Sequence, residues 1–487
     1  MKNLILLLAV ILLMLFANAQ IVNIPDANFK AALVNHYYPD TIDTNGDGEI
    51  QVSEALATDT IEVPYQNISD LTGIEAFTAL TYLNCENNQL SSLDISNNTA
   101  LTSLWCGNNQ LSSLDVSNNT ALEDLDCYNN QLSSLDVSNN SVLTYLACSY
   151  NQLSSLDVSN NTALTYLRCY DNQLSSLDVS NNTSLTYLYC FYNQLSSLDV
   201  SNNDDLINLH CYNNQLSSLD VSNNIALTVL YCYNNQISSL DVSNNIALEG
   251  LACYSNQLST LDVSNNIALE GLACNYNQLT SLDVSNNTAL TGLGCDNNQL
   301  SSLDVSNNTV LEGLDCYNNQ LSSLDVSNNT ALTDLYCFGN QLSSLNVKNG
   351  NNTAITDFYF KVFNNPNLYC IEVDDSAYSA NNWFNIDPQS YFSNDCPTSI
   401  PNQLKTQELK IAPNPFKEKL SVLLPDNTNA DNIEIALYNV LGKQIKASTE
   451  KANNEIIING ANLKPGIYFV ELRDKYKLIG NAKIVKE

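Results

Sequence analysis

Apolar residues return along most of this chain at fixed places. In residues 101–121 they are Leu101, Leu104, Cys106, Leu111, Leu114 and Val116, and the positions between are largely Ser, Thr, Asn, Gln and Asp. The spacing recurs every 21 residues, so that Cys85 comes back as Cys106, Cys127, Cys148, Cys169, Cys190, Cys211, Cys232, Cys253, Cys274, Cys295, Cys316 and Cys337. In the first half of each unit, alternation predicts a short strand of Leu101, Leu104 and Cys106, with Leu104 and Cys106 turned inward. Asn109 falls where the chain must turn, and its amide is suited to bonding the backbone of a neighbouring coil. The second half, Leu111 to Asn119, repeats the spacing of the first. Each unit therefore predicts two extended segments, and a stack of units predicts a parallel ladder on two sides. One unit cannot bury its leucines alone, whereas stacked units share a continuous core. The pattern predicts a mainly β, parallel solenoid of about 13–14 coils.

The unit Leu-x-x-Leu-x-Cys-x-x-Asn-Gln-Leu is similar to the leucine-rich-repeat family, over about 275 residues in 13 near-identical copies. The resemblance implies a leucine-rich-repeat solenoid closed by caps, because open ends expose leucines and unpaired strand edges. The ladder cysteines replace an inward leucine and have no CxxC or histidine companion, so they read as small apolar core residues rather than metal ligands or disulfides. Cys370 and Cys396 leave the 21-residue step and bracket Asp374–Asn394. They read as one disulfide stapling a C-terminal cap that Trp383, Phe384 and Tyr391 supply with apolar surface.

At the front, residues 24–34 read as a short amphipathic helix, with Pro25 at its opening and Phe29, Ala32 and Leu33 on one face. The segment after it, Asp43 to Glu54, resembles an EF-hand loop. Oxygen ligands would come from Asp43, Asn45, Asp47, the Glu49 carbonyl, Gln51 and Glu54, with Gly48 making the turn, and the implied cofactor is a structural calcium ion. The alternative is an acidic turn beside a helix. Residues 63–80 resemble an internalin-like first repeat.

Met1-Lys2-Asn3, the apolar run Leu4 to Phe16 and Ala17-Asn18-Ala19 have the layout of a secretory signal peptide, and the run is too short to span a membrane. No later segment reaches the roughly 18 apolar residues of a transmembrane helix. After a polar linker the composition changes: lysine returns, and alternating runs near 420–423, 433–438, 455–458 and 466–472 predict a small β-sandwich. Pro413-Asn414-Pro415-Phe416, Tyr438-Asn439-Val440-Leu441-Gly442, Leu463-Lys464-Pro465-Gly466-Ile467-Tyr468 and a terminal Lys483-Ile484-Val485-Lys486 strand resemble the C-terminal sorting domain of the type IX secretion system. That resemblance implies export across the outer membrane, the secretion machinery as a partner, and a secreted or outer-surface location. The expected layout is a signal peptide at 1–19, a cap with the EF-hand-like loop at 20–60, the solenoid at 61–354, a stapled cap at 355–397, a linker at 398–407 and the sorting domain at 408–487.

The net charge of −33 is unevenly placed, since 13 of 18 basic residues lie from Lys405 onward. A solenoid this acidic repels phosphate backbones, which argues against nucleic acid and anionic membranes as partners. No catalytic set is legible: the histidines are His36 and His210, and a carboxylate pair such as Asp124 and Asp126 does not stand out from the acidic background. The copies differ mainly at outward positions two, four, six and seven after the first leucine. In the middle coils these hold Tyr166, Arg168 and Tyr170, then Tyr187, Tyr189, Phe191 and Tyr192, then His210 and Tyr212, then Tyr231 and Tyr233. Such an aromatic patch suits recognition of a protein, peptide or glycan, as in a surface-displayed binding protein or adhesin. The alternative is a structural surface component whose tyrosines only stack across coils. The other outward column, Asp94 and every twenty-first residue to Asp325, is expected to bond nearby serines and backbone or to gather cations.

Overall fold

A computed structural model of the 487-residue chain describes residues 20–36, 41–396, 409–424, 433–439, 443–452, 454–474 and 477–487; the expected signal peptide at 1–19 and the expected linker at 398–407 lie outside them. The chain divides into two compact units, the second beginning at Cys396.

The first unit is a parallel solenoid. Fifteen strands of two or three residues, from Thr60–Glu62 to Phe360–Lys361, lie side by side in one sheet. The caps contribute its outer strands, which is why the count exceeds the 13–14 coils read from the repeat. Register follows the repeat, with Leu104 beside Leu125 and Leu125 beside Leu146. The strand in each coil is shorter than predicted: in residues 101–106 it spans Ser103–Trp105, while Leu101 and Cys106 flank it and are as buried as Leu104. The thirteen ladder cysteines are free and buried. Burial pushes the thiols up, those of Cys85, Cys190 and Cys253 to about 12, so they pack as neutral apolar groups.

The turn asparagines knit the coils. Asn109 Oδ1 accepts the Leu90 amide at 3.0 Å, and its Nδ2 donates to Cys85 O at 3.0 Å and Cys106 O at 3.1 Å. Copies at Asn193 and Asn277 do the same, which satisfies buried backbone groups that the turns would strand.

The expected second ladder forms only at the C-terminal end, where Ser323–Asp325, Ser344–Asn346, Cys370–Glu372 and Tyr391–Ser393 make a four-stranded sheet. In the regular coils this side is tied by side chains instead. Asn140 Nδ2, for example, donates to Val116 O at 3.1 Å and Asn119 O at 2.8 Å, engaging carbonyls of the preceding coil. One backbone bond per coil, such as Gln131 N to Leu111 O at 2.8 Å, accompanies them, and a continuous ladder forms only where Asn346 and Lys348 end the repeat and the cap begins.

At the front, Asp26 rather than Pro25 opens the helix Ala27–Val34, accepting the Asn28 and Phe29 amides at 2.8 and 3.0 Å. Its second oxygen takes the Ser69 amide at 2.8 Å, which ties the cap to the first coil, and Phe29 and Leu33 are fully buried. At the other end, Trp383 is the one residue of the trio Trp383, Phe384 and Tyr391 that closes the core. Its ring stacks on Phe360 at 4.0 Å, and its indole donates to Ile355 O. Phe384 and Tyr391 are exposed, because Phe392, next to Tyr391 on its strand, is the residue turned inward. Cys370 and Cys396 are disulfide-bonded.

The second unit consists of two four-stranded antiparallel sheets. Leu420, Val422, Ile456 and Ile458 from one and Ile433, Leu437, Val470, Leu472 and Ile484 from the other share a core. Asn414 secures the last strand by donating to Lys483 O and accepting the Val485 amide, and the Tyr468 hydroxyl donates to Lys464 O. Among the described residues no helix is long and apolar enough to cross a membrane.

Candidate functional site

Because register is locked every 21 residues, outward positions of successive coils become neighbours about 4.8 Å apart on the sheet face. The structure brings the predicted aromatics together and extends them. Tyr145 stacks on Tyr166 at 5.0 Å, Tyr166 meets Tyr187 at 5.3 Å and Tyr189 at 5.6 Å, and Tyr189 meets His210 at 4.6 Å. His210 in turn stacks on Tyr231 at 4.5 Å. Arg168, the sole cation of the cluster, sits 4.9 Å over the Tyr166 ring and 5.8 Å over Tyr189. Burial among these rings pulls His210 down to about 4, so the imidazole is neutral near pH 7.

The next column is different in kind. Tyr170, Phe191, Tyr212, Tyr233 and Tyr254 form a continuous stack with centroids 4.2–4.3 Å apart. Tyr317, Phe338 and Phe363 repeat the arrangement at 4.4 and 4.9 Å far from the central cluster. A stack that recurs wherever rings fall in this column is a device of the solenoid itself, as expected for cross-coil stacking. Tyr192, half exposed at a left-handed turn position of φ 50°, meets this column edge-on, 5.9 Å from Phe191 and 5.7 Å from Tyr212. Tyr145, Tyr150 and Tyr254 were not singled out in the sequence, although the column rule that found their neighbours contains them.

A second feature emerges only from stacking. Beyond Tyr231 the outward strand positions become Gly250, Ala252, Gly271, Ala273, Gly292, Gly294 and Gly313. They floor a groove of about 630 Å³, with Tyr231 at one end and Asp296, Asp315, Tyr317, Asp334 and Tyr336 at the other. Burial, reinforced by Asp296 and Asp334, raises Asp315 to about 6.

On the far side of the coil, the aspartates from Asp94 to Asp325 each accept the amide of the serine two residues on, at 2.9–3.0 Å. Bonds from these serines, side chain first and then backbone, hold the carboxyls from Asp94 to Asp304 below the usual range, so the like charges sit in local turns.

In the front loop, Asp43 accepts the Gly46 and Gly48 amides at 2.7 and 2.9 Å, Asn45 the Asp47 amide and Asp47 the Glu49 amide. Gly46 and Gly48 take the positive φ values, 71° and 80°, that the turn requires. The donor chemistry fits a hard divalent cation. The carboxylates serve the loop's own donors, however: Glu54 accepts from the Thr44 amide and hydroxyl and the Gln51 amide, Gln51 also bonds Asp47, and Glu49 pairs with Lys30 at 2.6 Å. Among the described residues no three His, Cys, Asp or Glu side chains converge on a metal position.

Comparison with known proteins fits this architecture. Residues 410–487 match the secretion system C-terminal sorting domain family, and residues 48–161 match the LRR domain family of endo-beta-N-acetylglucosaminidase EndoS. The functional domain of InlJ from Listeria monocytogenes, described as including a cysteine ladder, superposes with a TM-score of 0.69 at 29% identity, over 96% of this chain and 98% of that one. An LRR protein of Leptospira interrogans, LIC12759, is 25% identical over 57% of this chain and 77% of its own, with a TM-score of 0.53. The internalin inlF of Listeria monocytogenes shares the fold at 24% identity, 66% of this chain, 88% of its own and a TM-score of 0.52. No curated protein matches the chain.

Proposed function

From the joining of a leucine-rich-repeat solenoid to a type IX secretion sorting domain, which marks a secreted or cell-surface protein, we propose that this chain is a binding protein or adhesin whose protein or glycan ligand docks on the aromatic part of the sheet face. The observation that carries the reading is the ring cluster on the strands, Tyr166, Tyr187, Tyr189, His210 and Tyr231, gathered on one face and pointing away from the leucine core. Tyrosine offers large contact area, a polar handle and little entropy to lose, so clustered tyrosines are effective anchors. Alanine at Tyr187, Tyr189 and Tyr231 is expected to remove roughly 2 kcal/mol or more of ligand binding, measured on glycan arrays and surface-protein pull-downs, with the thermal melt little changed. Alanine at Tyr212 and Tyr233, taken from the stacked column, is expected to lower the melt instead. Unchanged binding by the first variant would favour the structural alternative.

A structural calcium ion at the 43–54 loop is a second proposal, supported by the complete oxygen series Asp43, Asn45, Asp47, Glu49, Gln51 and Glu54 and by the positive φ of its two glycines.

A further inference from the structure

The glycine-floored groove calls for an explanation that its own coils do not supply. Glycine weakens a strand, and in strands it marks a bulge, a special backbone angle, or close approach by another group. The pairings through Gly250, Gly271, Gly292 and Gly313 run in register without a bulge. None of these glycines has a positive φ. A Cβ added at Gly271 or Gly292 would meet nothing within 4 Å, and at Gly250 only the Tyr231 and Val229 side chains, the nearest at 3.7 Å. Nothing among the described residues requires them, which points to approach from outside. Four adjacent strands make this floor roughly 15 Å across.

The rim is predominantly acidic. Glu249, Glu270 and Glu312, each immediately before a floor glycine, are exposed. At the far end stand Asp296, Asp315 and Asp334. Asp296 is already bonded by the Asn297 side-chain amide at 2.7 Å, whereas Asp315 has no hydrogen-bond donor among the described residues and faces Asp296, Asp334 and Lys361. The same end already holds an ammonium: Lys361 Nζ lies 4.9 Å over the Tyr336 ring and 5.0 Å over Phe358.

We infer that this groove takes a basic, extended peptide segment, its Lys or Arg stems lying flat on the Gly/Ala floor and its cationic heads reaching Asp315 and Asp334. The inference rests on the reading of the sheet face as the ligand surface and adds the chemical class of the occupant. Lysine and arginine stems cover apolar surface while their heads stay with charge, which a bare backbone floor beside carboxylates suits. The acidic rim adds long-range attraction that salt screens.

The test is calorimetric titration of the full mature chain with a lysine decapeptide, beside a glutamate decapeptide and an N-acetylglucosamine hexamer. The lysine peptide alone is expected to bind, more weakly at high salt. Gly271→Leu with Gly292→Leu, which fills the floor, is expected to weaken it by about tenfold or more. Asp315→Asn with Asp334→Asn, which preserves shape and so guards against a folding defect, is expected to do likewise. Tyr187→Ala with Tyr189→Ala is expected to leave the peptide affinity within about twofold while reducing adhesion. Equal lysine-peptide affinity in the wild type and both groove variants, no binding of that peptide at all, or floor-dependent binding of the sugar hexamer would each overturn the proposal. If the peptide fails while the Tyr187/Tyr189 variant still loses adhesion, only the groove assignment falls. If adhesion ignores those tyrosines while floor filling abolishes peptide binding, the aromatic reading falls and the groove stands.

Discussion

The coils that carry Tyr145 to Tyr231 and the coils that carry Gly250 to Gly313 belong to one sheet, share one repeat and present opposite surfaces. Their inward residues are the same: Leu188, Cys190 and Leu195 in the first set and Leu272, Cys274 and Leu279 in the second are all essentially buried. Their turn asparagines make the same bonds, Asn193 Nδ2 to Cys169 O at 3.0 Å and Asn277 Nδ2 to Cys253 O at 3.1 Å. Only the outward positions change, from stacked rings to bare backbone. Inward and turn positions together suffice to hold the coil, so the outward ones are free to be filled or emptied. Even glycine, a poor strand residue, is carried in five places because neighbouring coils and the asparagine bonds hold the register.

The largest effect asks whether the two cores are equivalent. Leu188→Ala and Leu272→Ala should each cost about 2–5 kcal/mol in chemical denaturation, and by similar amounts, since both leave a cavity in the same leucine column. A gap well above about 1 kcal/mol would show that the rings outside support the core beneath them. The front cap offers a contrast to both sets of coils. Calcium at 100 times its Kd should stabilise whatever unfolds with the 43–54 loop by about 2.7 kcal/mol, and Glu54→Gln should abolish the gain. Denaturation curves unchanged by calcium in the wild type would remove that ion from the account.

A smaller effect separates the surfaces. Gly271→Ala and Gly292→Ala should each raise stability by about 0.5–1 kcal/mol, because a methyl group there meets open space and glycine loses more entropy on folding. A loss of stability would mean that the floor is bare for internal reasons. The smallest concerns pH. Burial raises Asp126, beside the rings, and Asp315, beside the floor, to about 6, against an ordinary value of 3.8. Asp126 also accepts the Tyr128 amide and faces Arg168, while Asp315 faces Asp296, Asp334 and Lys361. Each of these two carboxyls therefore holds more of its proton folded than unfolded between about pH 4 and 6, so its contribution to stability should fall as pH rises through that window, while His210, drawn down to about 4, contributes in the opposite sense. Asp126→Asn and Asp315→Asn should each flatten the fall in thermal melts taken across it.

Much of this was legible in the residues because it is local and repeated. A leucine, a cysteine and an asparagine at fixed spacing specify the coil, its buried column and its turn thirteen times over, so no single ambiguous position matters. The tail's motifs and lysine-rich strands are similarly self-contained, and the aromatic patch followed from one rule about outward columns. Trp383 and Phe384 are adjacent and both large and apolar, yet one is buried and the other exposed. Composition does not distinguish them; packing against Phe360 does. The second ladder, complete only at the C-terminal end, differs from its hydrophobic pattern for a related reason. Its hydrophobic spacing is that of a strand, but in the regular coils asparagine amides take most of the bonds between coils on that side, and a pattern of side chains does not reveal which donor reaches a carbonyl first.

The sequence by itself determined the periodic core, the order of cap, solenoid and tail, and the columns in which rings and acids fall, since these depend on spacing along the chain. Only the tertiary structure decided which columns meet. Gly250, Gly271, Gly292 and Gly313 are 21 residues apart in the sequence and adjacent in the sheet, so a groove built from what is missing at each becomes visible only once the coils are stacked.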